Sequence, residues 1–465
     1  MIMYLKKIIK TGIVLLVIAL MVPALDSCKI MKPYARPDFI SKDSLYRDQA
    51  TADTTNISTI PWENLFNDDQ LISLIDEALH NNPDIRIAAI RMKKAEADLR
   101  QSTTAFFPTL GANASATIQN NGGSNITKDF QLYANSSWQV DILGRLRNTR
   151  RGNLDLFLQS DAYARAVRTQ LISDVAINYY SLLALDEQLR ITEKTVENRK
   201  AEVQNLKVMM ESDLVTGADL VQSQANLYSA QVRIPDLKQS IYEAENALST
   251  LLGRNPGPVA RGNIFDEKIN VDLKTGIPAQ LLANRPDVQE AEYQLRYGYE
   301  MTNLARKNFY PVLTVTAAAG YPVGSVRDIF NPASVFWNII GGLTQPIFNQ
   351  GLNRQRLKIA RANQEENIEN YKKTLLQAET EVANAVNGYE TTTDKISLRT
   401  QQISYLEKAV DYTMELLKYT SSTNYNDVLT SEVALLSAQL NSVDDKLQQL
   451  QYIVTLYASL GGGWR

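Results

Sequence analysis

Cysteine and histidine are almost missing from this 465-residue chain, with Cys28 and His80 the only examples. A disulfide framework is thereby excluded, and so is a zinc site built from several Cys and His ligands. No phosphate loop, nucleophile elbow or His-Glu-x-x-His string occurs. Gly461-Gly462-Gly463 ends a helical pattern and lacks the strand-then-helix setting of a phosphate loop. His80 stands beside Asn81-Asn82-Pro83 at a predicted helix end, where a polar terminal residue is expected and not a ligand or base. No catalytic residue, metal or cofactor is therefore expected. Nor is positive charge in excess: the formal net charge is -3, which argues against a nucleic-acid partner.

Long hydrophobic runs are lacking as well. The longest, residues 11–22, is too short to cross a bilayer as a helix, which needs about 20 apolar residues. It follows the basic residues Lys6, Lys7 and Lys10 and precedes Leu25-Asp26-Ser27-Cys28. This order resembles a signal peptide ending in the lipobox of bacterial lipoproteins, although Asp26 departs from the usual small neutral residue. The alternative is an ordinary signal peptide with an incidental Cys. We expect residues 1–27 to be removed, Cys28 to carry the lipid, and 28–60 to form a lipidated extension. Lys29 follows the Cys, and 29–37 hold no acidic cluster; by elimination an outer-membrane location with the lipid in the periplasmic leaflet is favoured.

What the chain has is a repeat. NNPDIRIAA at 81–89 answers NRPDVQEAE at 284–292, and FFPTL at 106–110 answers FYPVL at 309–313, both offset by 203. Ser229-Ala230-Gln231 returns as Ser437-Ala438-Gln439, and LLG at 251–253 as SLG at 459–461, both offset by 208. Four matches in register imply a tandem duplication: 61–255, a linker at 256–276, and 277–465. Each half predicts a helix, an aromatic-aromatic-Pro punctuation, two strands, a very long helix (148–210; 352–420), a turn and a last helix (218–252; 427–460).

In 109–119 and 130–141 apolar and polar residues alternate with period two, and the polar face is hardly charged. The second pair, 312–321 and 333–345, alternates less cleanly. Such runs suit tilted membrane strands, or a soluble hairpin packed on helices. The last helices carry heptads: Leu220, Leu227, Ile234, Ile241 and Leu248 in one, Val433, Leu436, Leu440, Val443, Leu447, Leu450 and Val454 in the other. Pro235 interrupts the first, and the heptad resumes beyond it, which predicts a kink and not a terminus.

A sheet in hydrocarbon must close on itself, and membrane barrels need about eight strands or more. Four strands cannot close, so membrane strands here would require several chains to share one barrel. The duplication, the two punctuations, the run Trp138 to Gly144 and the run Gln345-Pro346-Ile347-Phe348 together resemble the TolC-like outer-membrane efflux proteins, in particular their lipoprotein branch. The resemblance covers about 60 to 465. It implies a mixed α and β membrane protein: a homotrimer with four strands per chain in a shared twelve-stranded barrel, continued by a periplasmic α-helical barrel. It also implies a periplasmic adaptor and an inner-membrane pump, often of the resistance–nodulation–division (RND) type, as partners alongside the lipid bilayer. The closed state in that family is held near the turns 211–219 and 418–427. Asp427 matches an acidic gate position, Thr430 stands where many members have a second Asp, and Asn426 and Asp219 complete the gate candidates. Helix capping alone would also explain Asp427. The expected function is a passive duct for small molecules in a tripartite efflux system. A duct for type I protein secretion is the alternative, and a structural coiled-coil envelope lipoprotein a more distant one.

Overall fold

The structure, a computed structural model, describes residues 34–37, 39, 60–120, 122, 126–268, 284–323, 335–419 and 425–464. Cys28 and the expected signal peptide, linker residues 269–276 and turn residues 420–424 lie outside the described residues. Two compact units are present, and each takes segments from both repeats. They cut across the duplication because strands from the two halves form one sheet.

That sheet belongs to the first unit, whose described residues fall within 34–39, 106–152 and 298–364. Its strands are β1 (Thr109–Asn120), β2 (Ile126–Val140), β3 (Val312–Val323) and β4 (Phe336–Thr344), antiparallel in the order β1-β2-β3-β4. The repeats meet at its centre, where β2 pairs with β3. Register aligns the alternating pattern across all four strands. Ala112, Ala134, Ala319 and Trp337 form one row, and Leu110, Ser136, Ala317 and Ile339 the next. A slip of one residue would send each apolar row to the other face. On the polar face, Asn113 donates to Asn135 at 2.6 Å, and Tyr133 leans across Gly320 toward Phe336, with ring centroids 6.3 Å apart. A Cβ on Gly320 would lie 2.4 Å from the Tyr133 Cβ, so this crossing needs glycine.

The punctuations end the helices the same way twice. The Trp138 indole donates to the Phe106 carbonyl at 2.8 Å, and the Gln345 amide to the Phe309 carbonyl at 3.3 Å. Beyond β2, the Asp141 carboxylate accepts from the backbone N–H groups of Leu146 and Arg147 at 3.0 and 3.1 Å. It thereby caps a helix whose first donors would otherwise be unsatisfied.

Helices dominate the second unit (40–105, 153–297 and 365–465). In chain order the helices are α1 (Trp62–Leu65), α2 (Asp69–Asn81), α3 (Pro83–Thr104), α4 (Arg145–Glu211), α5 (Gly217–Leu251), α6 (Pro286–Lys307), α7 (Leu352–Tyr419) and α8 (Tyr425–Ser459). At 67 and 68 residues, α4 and α7 are each about 100 Å long. On α5 the heptad positions are covered, with Ala230 and Leu248 buried and Leu220, Leu227, Ile234 and Ile241 partly so. Val221, Tyr228, Val232 and Tyr242 on other faces are exposed. The helix runs unbroken through Pro235. On α8 one seam position departs from expectation: Val433 is 50% exposed, while Leu440, Val443, Leu450 and Val454 are buried.

Both repeats build the same joint at the end of their last helix. Asn82 Nδ2 donates to the Leu251 carbonyl at 2.8 Å, and Arg285 Nη1 to the Ser459 carbonyl at 3.0 Å. Gly253 (φ +67°) and Gly461 (φ +83°) follow those helices in the left-handed region. A Cβ there would meet the Asn81 carbonyl oxygen at 2.6 Å and the Asn284 carbonyl oxygen at 3.2 Å. The described part of the linker packs closely. Arg261 pairs with Asp186 of α4 and Glu245 of α5, while Ile264 and Glu267 are buried.

Candidate functional site

The gate candidates sit where α4 turns into α5 and where α8 begins, all in the second unit. At the first turn, the N–H of Leu214 donates to the Met209 carbonyl at 2.9 Å and that of Asp213 to the Met210 carbonyl at 3.1 Å. Asp213 takes the left-handed conformation (φ 55°), a place usually given to glycine. Gly217, the glycine conspicuous in the sequence, is instead the first residue of α5.

Thr216 and Asp219 form a capping box. The Asp219 carboxylate accepts from the Thr216 N–H at 2.9 Å and its hydroxyl at 2.7 Å, and the Asp219 N–H donates back to that hydroxyl at 3.3 Å. An acid at position 219 thus has a local structural role. At the other turn, Asp427 lies in the first turn of α8, where a negative charge meets the positive end of the helix dipole. Asn426, Asp427 and Thr430 are exposed in the single chain. Thr430 Oγ1 donates to the Asn426 carbonyl at 2.7 Å, which ties one turn of helix between two of the candidates. Asn426 and Thr430, four apart, share a face, with Asp427 at its edge.

Behind that exposed face lies a buried polar cluster that the sequence did not announce. Tyr425, 2% exposed, is buried near Ser223 and Asn226 of α5 and Glu202 of α4. Arg199 of α4 donates to the Asn226 carbonyl at 2.7 Å. Burial, followed by the nearby Glu202 charge, pushes the Glu432 carboxyl of α8 up to about 7. Burial likewise raises Glu202, opposed by Tyr425 and Arg199. The charges of Glu432 and Glu202 are thereby linked between α8 and α4, while Arg199 ties α4 to α5. On a helix, glutamate and arginine read as solvated surface, so only their fall on buried faces could have signalled this.

Known proteins can now be set beside this architecture. The profile of the family described as "Outer membrane efflux protein" matches residues 74–254 and 277–462. The chain belongs to that family. It is 30% identical to the cation efflux system protein CusC of Escherichia coli O6:H1, covering 95% of this chain and 97% of that one. The probable outer membrane lipoprotein SilC of Salmonella typhimurium is 28% identical, covering 95% and 96%. The toluene efflux pump outer membrane protein TtgF of Pseudomonas putida is also 28% identical, covering 95% of each. Among solved structures, a CusC crystal structure superposes with a TM-score of 0.85 at 28% identity, over 94% of this chain and all of that one. The open state of MtrE from Neisseria gonorrhoeae shares the fold, with a TM-score of 0.85 at 23% identity over 94% and 99%. The chain is thus an outer-membrane channel component of an efflux system. Its two profile matches fall one in each repeat.

Proposed function

We propose that three copies of this chain share one twelve-stranded barrel and act as a passive duct, carrying small molecules from a periplasmic adaptor and an inner-membrane RND-type pump to the exterior. One observation carries the reading: the sheet is open. Among the described residues β1 and β4 pair on one side only, and every residue of β1 is exposed. Unpaired strand edges have no water to bond in hydrocarbon, so β1 of one copy meets β4 of the next. Exposed Leu110 and Trp337, 82% and 74%, stand on the apolar face that would meet lipid. Relatives named for cations and for toluene both match this chain along nearly its whole length, which agrees with a duct that leaves selection to its pump.

The repeat boundaries at 61–255 and 277–465 and lipid attachment at Cys28 belong to the same proposal, as does closure by Asp427, Thr430, Asn426 and Asp219 at the periplasmic tip. Heat-sensitive oligomers on a gel and discrete conductance steps in planar bilayers are expected; absence of both refutes the duct. Asp427→Ala should raise conductance or antibiotic leakage, and an unchanged channel removes Asp427 from the gate.

A further inference from the structure

The sheet-bearing unit has a lopsided charge. Its described residues include three carboxylates, Asp129, Asp141 and Glu300. Asp129 stands beside the β1–β2 loop, at the opposite end of the sheet from the starts of α4 and α7. At the helix end, Asp141 is engaged in capping α4 and pairing with Arg147, and Glu300 accepts from the Asn148 amide. Around them α4 begins with Arg145, Arg147, Arg150 and Arg151, α6 ends with Arg306 and Lys307, and α7 begins with Arg354, Arg356, Lys358 and Arg361. Lys307 is buried and donates to the Gly144 carbonyl at 2.8 Å. Six others, Arg150, Arg151, Arg354, Arg356, Lys358 and Arg361, are exposed, and none is in an ion pair with a described residue.

Like charges gathered this closely repel one another, and cations near a helix N-terminus oppose the dipole as well. The first turn of α7 contains no acid to relieve this. An arrangement that disfavours the isolated chain calls for an external anion. Beside the cations, the β4–α7 connection exposes Ile347 and Phe348 at 97% and 86%, and Phe107 at 71% lies at the same end of the sheet. Apolar side chains next to a band of Arg and Lys are the arrangement of a membrane interface, with the rings at the acyl boundary and the cations at the phosphates. The spacing also fits. Arg354 and Arg356 lie within about 6 Å of the start of α7, inside the about 5–8 Å that a headgroup layer adds to each side of the hydrocarbon, with Lys358 and Arg361 just beyond it.

We infer that this basic collar is a binding surface for the phosphate groups of anionic phospholipids in the leaflet from which α4 and α7 emerge. The inference rests on the reading of the strands as membrane-inserted. Phosphates would neutralise the collar and fix how deep the sheet sits.

The test uses the purified full-length protein in phosphatidylcholine vesicles and in vesicles that also contain phosphatidylglycerol. Brominated forms of either lipid report their own proximity by quenching tryptophan, and Trp337 and Trp138 stand on the apolar face of the sheet. Brominated phosphatidylglycerol should quench more than its choline counterpart, and the preference should fall with salt. Replacing four residues together (Arg354→Gln, Arg356→Gln, Lys358→Gln and Arg361→Gln) should weaken the preference about tenfold or more, at about fivefold per charge before screening. Chloride and inorganic phosphate at matched ionic strength should reduce it equally; loss with phosphate alone assigns the collar to a free anion and overturns the proposal. Heat-sensitive oligomers in phosphatidylcholine with equal quenching by both lipids refute the collar and leave the membrane reading standing. Failure to insert in any vesicle removes both.

Discussion

Raising the pH from 7 to 9 should loosen the linker from the helices beneath it, and a single isosteric change should abolish the effect. Glu267, 6% exposed, faces Asp68, which caps α2 and accepts a hydrogen bond from the Tyr179 hydroxyl. That hydroxyl in turn accepts from the Gly262 N–H at 3.3 Å. Burial first, and then the Asp68 carboxylate, push the Glu267 carboxyl up to about 8, against a partly opposing charge on Lys446. At pH 7 it therefore holds a proton in the folded chain and would lose it on release to water.

The sign follows from linkage: the folded form binds more protons, so stability falls as pH rises. The loss begins near the ordinary carboxyl value of about 4.3 and saturates above pH 8. Each unit is worth about 1.4 kcal/mol, and most of the remaining loss between pH 7 and 9 amounts to about one such unit, or tenfold in the opening constant. Amide hydrogen exchange across 259–268, corrected for intrinsic rates, should show protection dropping about tenfold over that interval, with Gly262 as the reporter. Glu267→Gln keeps the shape and the donor and removes the titration, so its protection should stay flat. A wild-type profile that is flat, or rises, or that Glu267→Gln reproduces unchanged, refutes the reasoning.

Two further outcomes follow from close packing and from the repeated joint. Gly388 of α7 lies under the Tyr452 ring of α8, where an added Cβ would come within 2.4 Å of it. Gly388→Ala should cost about 1–3 kcal/mol of thermal stability, recovered in part by adding Tyr452→Leu; an unperturbed single variant would refute the tight approach. Arg285, buried, serves the Ser459 carbonyl, Asp287 and Glu381 together, whereas Asn82 makes the corresponding bond as a neutral amide. Arg285→Met should destabilise by about 3 kcal/mol and Asn82→Ala by about 1 kcal/mol, and denaturant melts of equal midpoint would contradict that order.

Much of the fold was legible because its signals are periodic. Leu110, Ala112, Ala114, Ala116 and Ile118 alternate with uncharged polar residues, and that alternation becomes β1. Long stretches with almost no Gly or Pro become α4 and α7 within a few residues of the expected ends. Register could not be read, because nothing in a strand names its partner; that Ala134 faces Ala319 of the other repeat is a tertiary fact. Val433 fits a heptad by spacing alone, yet whether a seam position is covered depends on what lies opposite. Asp427 was legible in the residues as helix-start chemistry, and its place among the gate candidates, like that of Asp219, came from the resemblance alone. Its neighbours Glu202, buried, and Glu432, half-buried, were not, because glutamate in a helix reads as solvated unless burial is known.

Apolar surface left open in both units argues that the single chain is incomplete. In the first unit the sheet exposes Ile339 and Leu343 at 67% and 69%, and among the described residues its two outer strands keep an unpaired side. In the second, Val221, Tyr228, Val232 and Tyr242 line α5 away from its heptad seam, and Tyr405 and Tyr412 do the same on α7. The sheet's open surface would meet lipid and a neighbouring strand. The helices' surface lies in a unit where no described helix is long and apolar enough to cross a membrane. Under the shared-barrel reading proposed above, neighbouring copies would pair with β1 and β4, and copies of the chain would likewise cover the outer faces of α5 and α7. A variant that blocks strand pairing should therefore expose the helix tyrosines as well, which ties the two surfaces to a single assembly step.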